Sequence, residues 1–103
     1  MPDKELKCGL FARLEAKPGR EQDVIDFLNA GLGMAQREEQ TPIWFALQLS
    51  PNTFGIFDAF YDAAGRQAHL DGPIAQALMA KSDELLARPP SIEQIDVLGV
   101  KGA

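Results

Sequence analysis

One cysteine, one histidine, one tryptophan and one tyrosine are all that this 103-residue chain has of four chemistry-bearing side chains. A single thiol, Cys8, closes no internal disulfide, which fits a reducing compartment. On the apolar parity of a strand, it reads as a small buried hydrophobe rather than a nucleophile. One His with one Cys falls short of a usual zinc set, and there is no glycine-rich phosphate loop. We therefore expect neither metal nor cofactor. Ten Lys and Arg against fifteen Asp and Glu leave a net charge of −5, and the cations form no cluster. That argues against a nucleic-acid partner, because phosphate binding needs grouped positive charge. No apolar run approaches the roughly 18 residues of a membrane span. The start, "MPDKELKCGL", has no apolar stretch of the signal-peptide kind. The expectation is a cytoplasmic protein with no membrane partner.

What is present is ordinary globular material, 46% hydrophobic and 24% charged, enough for one core and one domain over residues 1–103. In "LKCGLFARLEA", Leu6, Cys8, Leu10, Ala12 and Leu14 share one parity, so the stretch reads as a strand with one buried face. Pro18 and Gly19 break it. Glu21 and Asp23 then put negative charge in the first turn of a helix, which the stripe Val24, Leu28 and Ala35 carries to about Glu39. Gly31 and Gly33 each weaken that helix by about 1 kcal/mol relative to Ala, so it kinks there or something approaches its backbone. Arg37–Glu39 reads as a solvated helix end.

After Thr41-Pro42, "IWFALQL" is a second strand, apolar on both faces. "SPNT" is a turn, and "FGIFDAFY" is a third strand antiparallel to the second. Asp62 caps a short helix through His69 and Leu70; Gly72 ends it, and Pro73 suits the first turn of the next. There Ala75, Leu78, Met79, Ser82, Leu85 and Leu86 form a stripe, until "RPPS" stops the helix. "IEQIDVLGV" is the last strand. The order β-α-β-β-α-β predicts an α+β, ferredoxin-like fold with one antiparallel sheet and helices on one side. The other side then carries a large aromatic surface, the usual mark of an interface, so we expect a homodimer packed sheet to sheet.

From Leu10 to Val97 the chain resembles the antibiotic biosynthesis monooxygenase (ABM) family, whose ferredoxin-like members pair into a dimeric α+β barrel. The likeness rests on "AKPGREQDVIDFL" after strand one, on "DAFYDAAGRQAHLDGP" after strand three, and on "RPP" after the last helix. Asp58, Phe60, His69 and Pro73 stand at the family's acid, aromatic, histidine and proline positions. The resemblance implies oxidation of electron-rich phenols or quinols by dioxygen without metal or flavin, giving a hydroxylated or quinone product. Other members are isomerases, haem-degrading enzymes or proteins of no known activity. The family usually has Glu at the Asp58 position and Tyr or Trp at Phe60. Haem degradation needs an Asn in strand one, a Trp at Phe60 and a His at Met79; none is present, and we reject it.

His69 reads either as a base helping to deprotonate a phenol or as a tie between the short helix and a carbonyl. Asp58 is an acid on an apolar strand face, so it is paired, protonated or open to a cavity. It acts as a base there, or it pairs with Arg66 or a helix terminus, or it is simply exposed if that parity faces outward. Trp44, Phe57, Phe60 and Tyr61, closed by Leu78 and Met79, read as a pocket for a small aromatic substrate or simply as core and dimer filling. The function expected is a cofactor-independent phenol or quinol monooxygenase. The alternative is a non-catalytic ligand-binding dimer or an isomerase of a small oxygenated metabolite.

Overall fold

In the computed structural model, residues 5–102 are described; Met1–Lys4, the first part of the start read above, and Ala103 lie outside the described residues. The elements are β1 (Cys8–Glu15), α1 (Glu21–Ala35), β2 (Ile43–Ser50), β3 (Thr53–Phe60), α2 (Ala63–Leu70), α3 (Pro73–Leu85) and β4 (Ser91–Asp96). They form an α+β ferredoxin-like fold with a four-stranded antiparallel sheet in the order β2-β3-β1-β4.

Alternation in β1 works as the period predicts. Cys8, Leu10, Ala12 and Leu14 are buried beneath the helices, opposite Phe60, Asp58, Ile56 and Phe54 of β3. Val24 and Leu28 of α1 and Leu78 and Leu85 of α3 complete that core. Asp62 caps α2 by accepting from the Gly65 amide at 2.8 Å, and Pro73 stands in the first turn of α3. Gly31 of α1 faces the Trp44 ring, where a Cβ would lie 3.4 Å away, at the near edge of ordinary contact. No helix among the described residues is long and apolar enough to cross a membrane.

Two boundaries and one helix face differ from the sequence reading. Helix α1 stops at Ala35 rather than near Glu39, because its last i→i−4 bond, Gln36 to Leu32, gives way to tighter bonds from Arg37 to Met34 and Glu38 to Ala35. Strand β4 stops at Asp96. Its neighbour β1 begins at Cys8, and Val97 makes one further bond to the Lys7 carbonyl before the chain leaves the sheet. The buried stripe of α3 is Ile74, Leu78, Ser82 and Leu85; Ile74 anchors it and turns Met79 outward, 61% exposed.

Candidate functional site

The register of the sheet sets one inner row, with Trp44 of β2, Asp58 of β3 and Leu10 of β1 side by side under the helices. Asp58 is 1% exposed, an anionic side chain among apolar neighbours. A carboxylate there needs a partner. Its partner is His69, in the last turn of α2, whose Nε2 lies 2.9 Å from Asp58 Oδ2. Arg66, the other cation considered for that role, instead donates to the Ile95 carbonyl at 3.3 Å.

The second imidazole nitrogen is also engaged. His69 Nδ1 lies 2.7 Å from Glu38 Oε1, and the Thr41 hydroxyl donates to that same oxygen at 2.9 Å. Glu38 is thus not the solvated helix end the sequence pointed to. Once α1 ends at Ala35, the chain from 36 to 42 turns back over α2, and Glu38 goes down onto His69 with its side chain only 17% exposed. Carboxylates accept and do not donate, so bonding to both at once requires the imidazolium with two N–H groups. Burial works against that charge, but the hydrogen bonds to Asp58 and Glu38, with their negative charges, outweigh it and hold His69 above its ordinary value of 6.5.

Three buried polar atoms around this cluster have no hydrogen-bond partner among the described residues: Asp58 Oδ1, Glu38 Oε2 and Trp44 Nε1. Two accept and one donates. Glu38, Thr41 and His69 also line an open cleft of about 200 Å³, with Ala68, Gly72 and Pro73 on its far side.

Of the residues singled out from sequence, Asp58, His69 and Phe60 come together; the Phe60 ring is fully buried, with its centroid 5.5 Å from that of His69. Trp44 neighbours Asp58 across the strands. Tyr61 lines a different and larger groove of about 730 Å³ with Leu6, Ile43 and Val100. Leu78 is core, and Phe57 belongs to the opposite face of the sheet. Met79 points to solvent and joins none of them. Glu38 and Thr41 escaped the sequence reading, since only the early end of α1 brings that loop onto α2. A Glu and a Thr ahead of a proline were the one available signal. No group of three or more His, Cys, Asp or Glu among the described residues has a metal-binding arrangement.

Comparison with known proteins places this geometry. A protein of unknown function from Nitrosomonas europaea, NE2512, is 52% identical over 98% of each chain, and its crystal structure matches with a TM-score of 0.93. The two chains belong to one family. More distant likenesses show the fold alone. A second N. europaea protein, described as a candidate antibiotic biosynthesis monooxygenase, is 13% identical over 99% of this chain and 100% of its own, with a TM-score of 0.81. A Chloroflexus aurantiacus protein described in the same way is 21% identical over 93% and 97%, with a TM-score of 0.72. The fold is therefore that of ABM-like proteins. No family model matches the chain, and neither does any curated protein.

Proposed function

We propose that this chain is a cofactor-independent monooxygenase that oxidises a phenolic or quinol-type small molecule with dioxygen. The observation that carries the reading is the Asp58–His69–Glu38 unit, in which Glu38 and His69 line a cleft and each carboxylate keeps one oxygen without a partner among the described residues. Acceptors without donors select a ligand that brings a donor, and a phenol O–H is one. Glu38, on the cavity wall, takes the phenolic proton. His69 and Asp58 stand behind it, fixing its position and holding a proton in reserve. The phenolate passes one electron to dioxygen. The phenoxyl and superoxide radicals join at a ring carbon, and the resulting hydroperoxide loses water to leave the quinone. Phenol plus dioxygen gives quinone plus water, so no external reductant is required. The protein's part is orientation and exclusion of water. Trp44 and Phe60 act as the floor beneath the cluster, while Tyr61 and Met79 have no part in it. The working form we propose is a cytoplasmic homodimer joined through the outer sheet face, where Phe45 is 52% exposed and its ring stacks on Phe57 at 6.2 Å.

A second reading, a non-catalytic ligand-binding dimer, is favoured by one observation. Both ring nitrogens of His69 are already occupied, so the imidazole has no free lone pair to offer as a base. Oxygen uptake with dihydroxynaphthalenes and catechols separates the two. Enzyme-dependent uptake that disappears in folded Glu38→Gln, His69→Ala or Asp58→Asn variants supports the oxidase chemistry. Uptake no faster than autoxidation in buffer, from folded wild-type protein, hands the site to ligand binding.

A further inference from the structure

We propose that His69 is a proton-operated clasp on the loop between α1 and β2, closed while the imidazole carries two protons and released when it loses one. This regulation of the site goes beyond the oxidation chemistry and does not depend on it.

Imidazolium has two N–H groups, and the structure uses both: Nε2 to Asp58 Oδ2 at 2.9 Å and Nδ1 to Glu38 Oε1 at 2.7 Å. Neutral imidazole has one. Asp58 is fixed in the central strand β3, between Trp44 and Leu10, and has no other donor among the described residues, so it keeps the remaining N–H. Glu38 sits on a loop and is the partner that loses. Thr41 makes that loss complete. Its hydroxyl lies 2.9 Å from Glu38 Oε1 but also 3.4 Å from His69 Nδ1. Against imidazolium it donates only to Glu38. Against neutral imidazole it has the Nδ1 lone pair as a second acceptor. Glu38 is then a mostly buried carboxylate that has lost its charged donor and shares the Thr41 hydroxyl with Nδ1, and leaving the surface of α2 for water is its relief.

The loop is also seated on α2 at one point that is not ionic, where the Gln40 carbonyl lies 3.1 Å from where a Cβ on Gly65 would be. Glu38 Oε2 lies 3.7 Å from the same point on Gly72, just past the end of α2. The charged groups facing His69 are Asp58 from β3 and Glu38 from the loop, with Glu39 on the same cavity wall. On α2 itself, Arg66 is turned to Ile95. From β1 the neighbouring cluster holds Cys8 and Leu10, and from α3 the cavity is bounded by Pro73. Glu38 and Thr41 form one wall of the cavity and α2 with the start of α3 the other, so release widens it. Because the carboxylates hold the imidazole above 6.5, opening occurs on the alkaline side of that value.

The chain's one histidine makes the test direct. Nitrogen-15 NMR of the His69 ring and amide hydrogen exchange of residues 36–42 are followed together across pH on the full chain. We expect the neutral ring to carry its proton on Nε2. Exchange of the loop, corrected for its intrinsic pH dependence, should rise about tenfold with the His69 midpoint, the scale of one charge-assisted hydrogen bond. In Glu38→Gln the side-chain amide offers both an acceptor and a donor, so the loop should stay protected throughout. A loop whose protection is constant while His69 titrates overturns the clasp. So does a neutral ring protonated on Nδ1, or a loop that in Glu38→Gln still opens with the wild-type midpoint. None of these readouts uses turnover, so a failed clasp and a failed monooxygenase reading are told apart.

Discussion

Two adjacent rows of the sheet, one residue apart, have opposite fates. The inner row sets Trp44, Asp58 and Leu10 side by side; the outer row sets Phe45, Phe57 and Phe11. Their backbones and hydrogen bonding are equivalent. The inner row holds an acid in a place where burial is nearly complete, and the outer row leaves aromatic rings partly open to water. What differs is the cover. Only the inner row faces α2 and the returning loop, which bring an imidazole and a second carboxylate to Asp58. A charge can stay under helices when its cover supplies a counter-ion, whereas an apolar row without cover waits for one. The inner row is finished within one chain; the outer row is left partly open, and it is there that we propose a second copy docks.

The sharpest way to break this contrast is to remove the cation from the inner row. His69→Ala leaves two buried carboxylates facing each other's field, and we expect a loss of about 3–5 kcal/mol at neutral pH in denaturant unfolding, as for other buried pairs deprived of one partner. The same row should make stability depend on pH. His69 titrates higher in the folded chain than its ordinary 6.5. Its stabilising contribution is therefore complete below 6.5 and fades as pH rises through the raised folded-state value. Unfolding midpoints from about pH 6 upward check this, and in His69→Ala that slope should be absent. The outer row should respond differently to an equally drastic change. Phe57→Asp places a charge in the proposed dimer face while leaving the inner core untouched. Light scattering should then fall from twice the chain mass to 11.2 kDa, with helix and sheet content kept. A wild-type monomer would remove the reason for the outer row's aromatics altogether.

The two rows were not equally legible in the sequence. Period-two alternation in β1 marked its buried face without error, and the hairpin turn tied β2 to β3, because these signals are local. Strand β2 is apolar on both sides, so parity alone does not say whether Trp44 or Phe45 is covered. Register with β3 decides it. The acid and the histidine could be picked out separately as Asp58 and His69, but not as a pair, since they stand eleven positions apart with a change of element between them. Glu38 was missed for a definite reason. Its place depends on α1 ending four residues before the apolar stripe suggested, and helix ends are set by competition between nearly equal hydrogen bonds. One wall of the candidate site thus sits at the least predictable kind of boundary, on a loop laid over a well-predicted scaffold.

The smallest expected effect bears on the opposite side of α3. From the sequence, Met79 belonged to a helical stripe that would close a pocket against the sheet. In the structure Ile74 sets the stripe, one position round the helix, and Met79 is 61% exposed on the surface away from the core. A side chain so placed loses almost no apolar contact when it becomes polar, so Met79→Gln should change stability by no more than about 0.5 kcal/mol. Oxygen uptake or ligand affinity should be equally unmoved, because neither His69 nor the cavity wall touches it. An unfolding midpoint that stays put while affinity drops would show that α3 turns in the ligand-bound state. The inner row would then have a second moving cover besides the loop of Glu38 and Thr41.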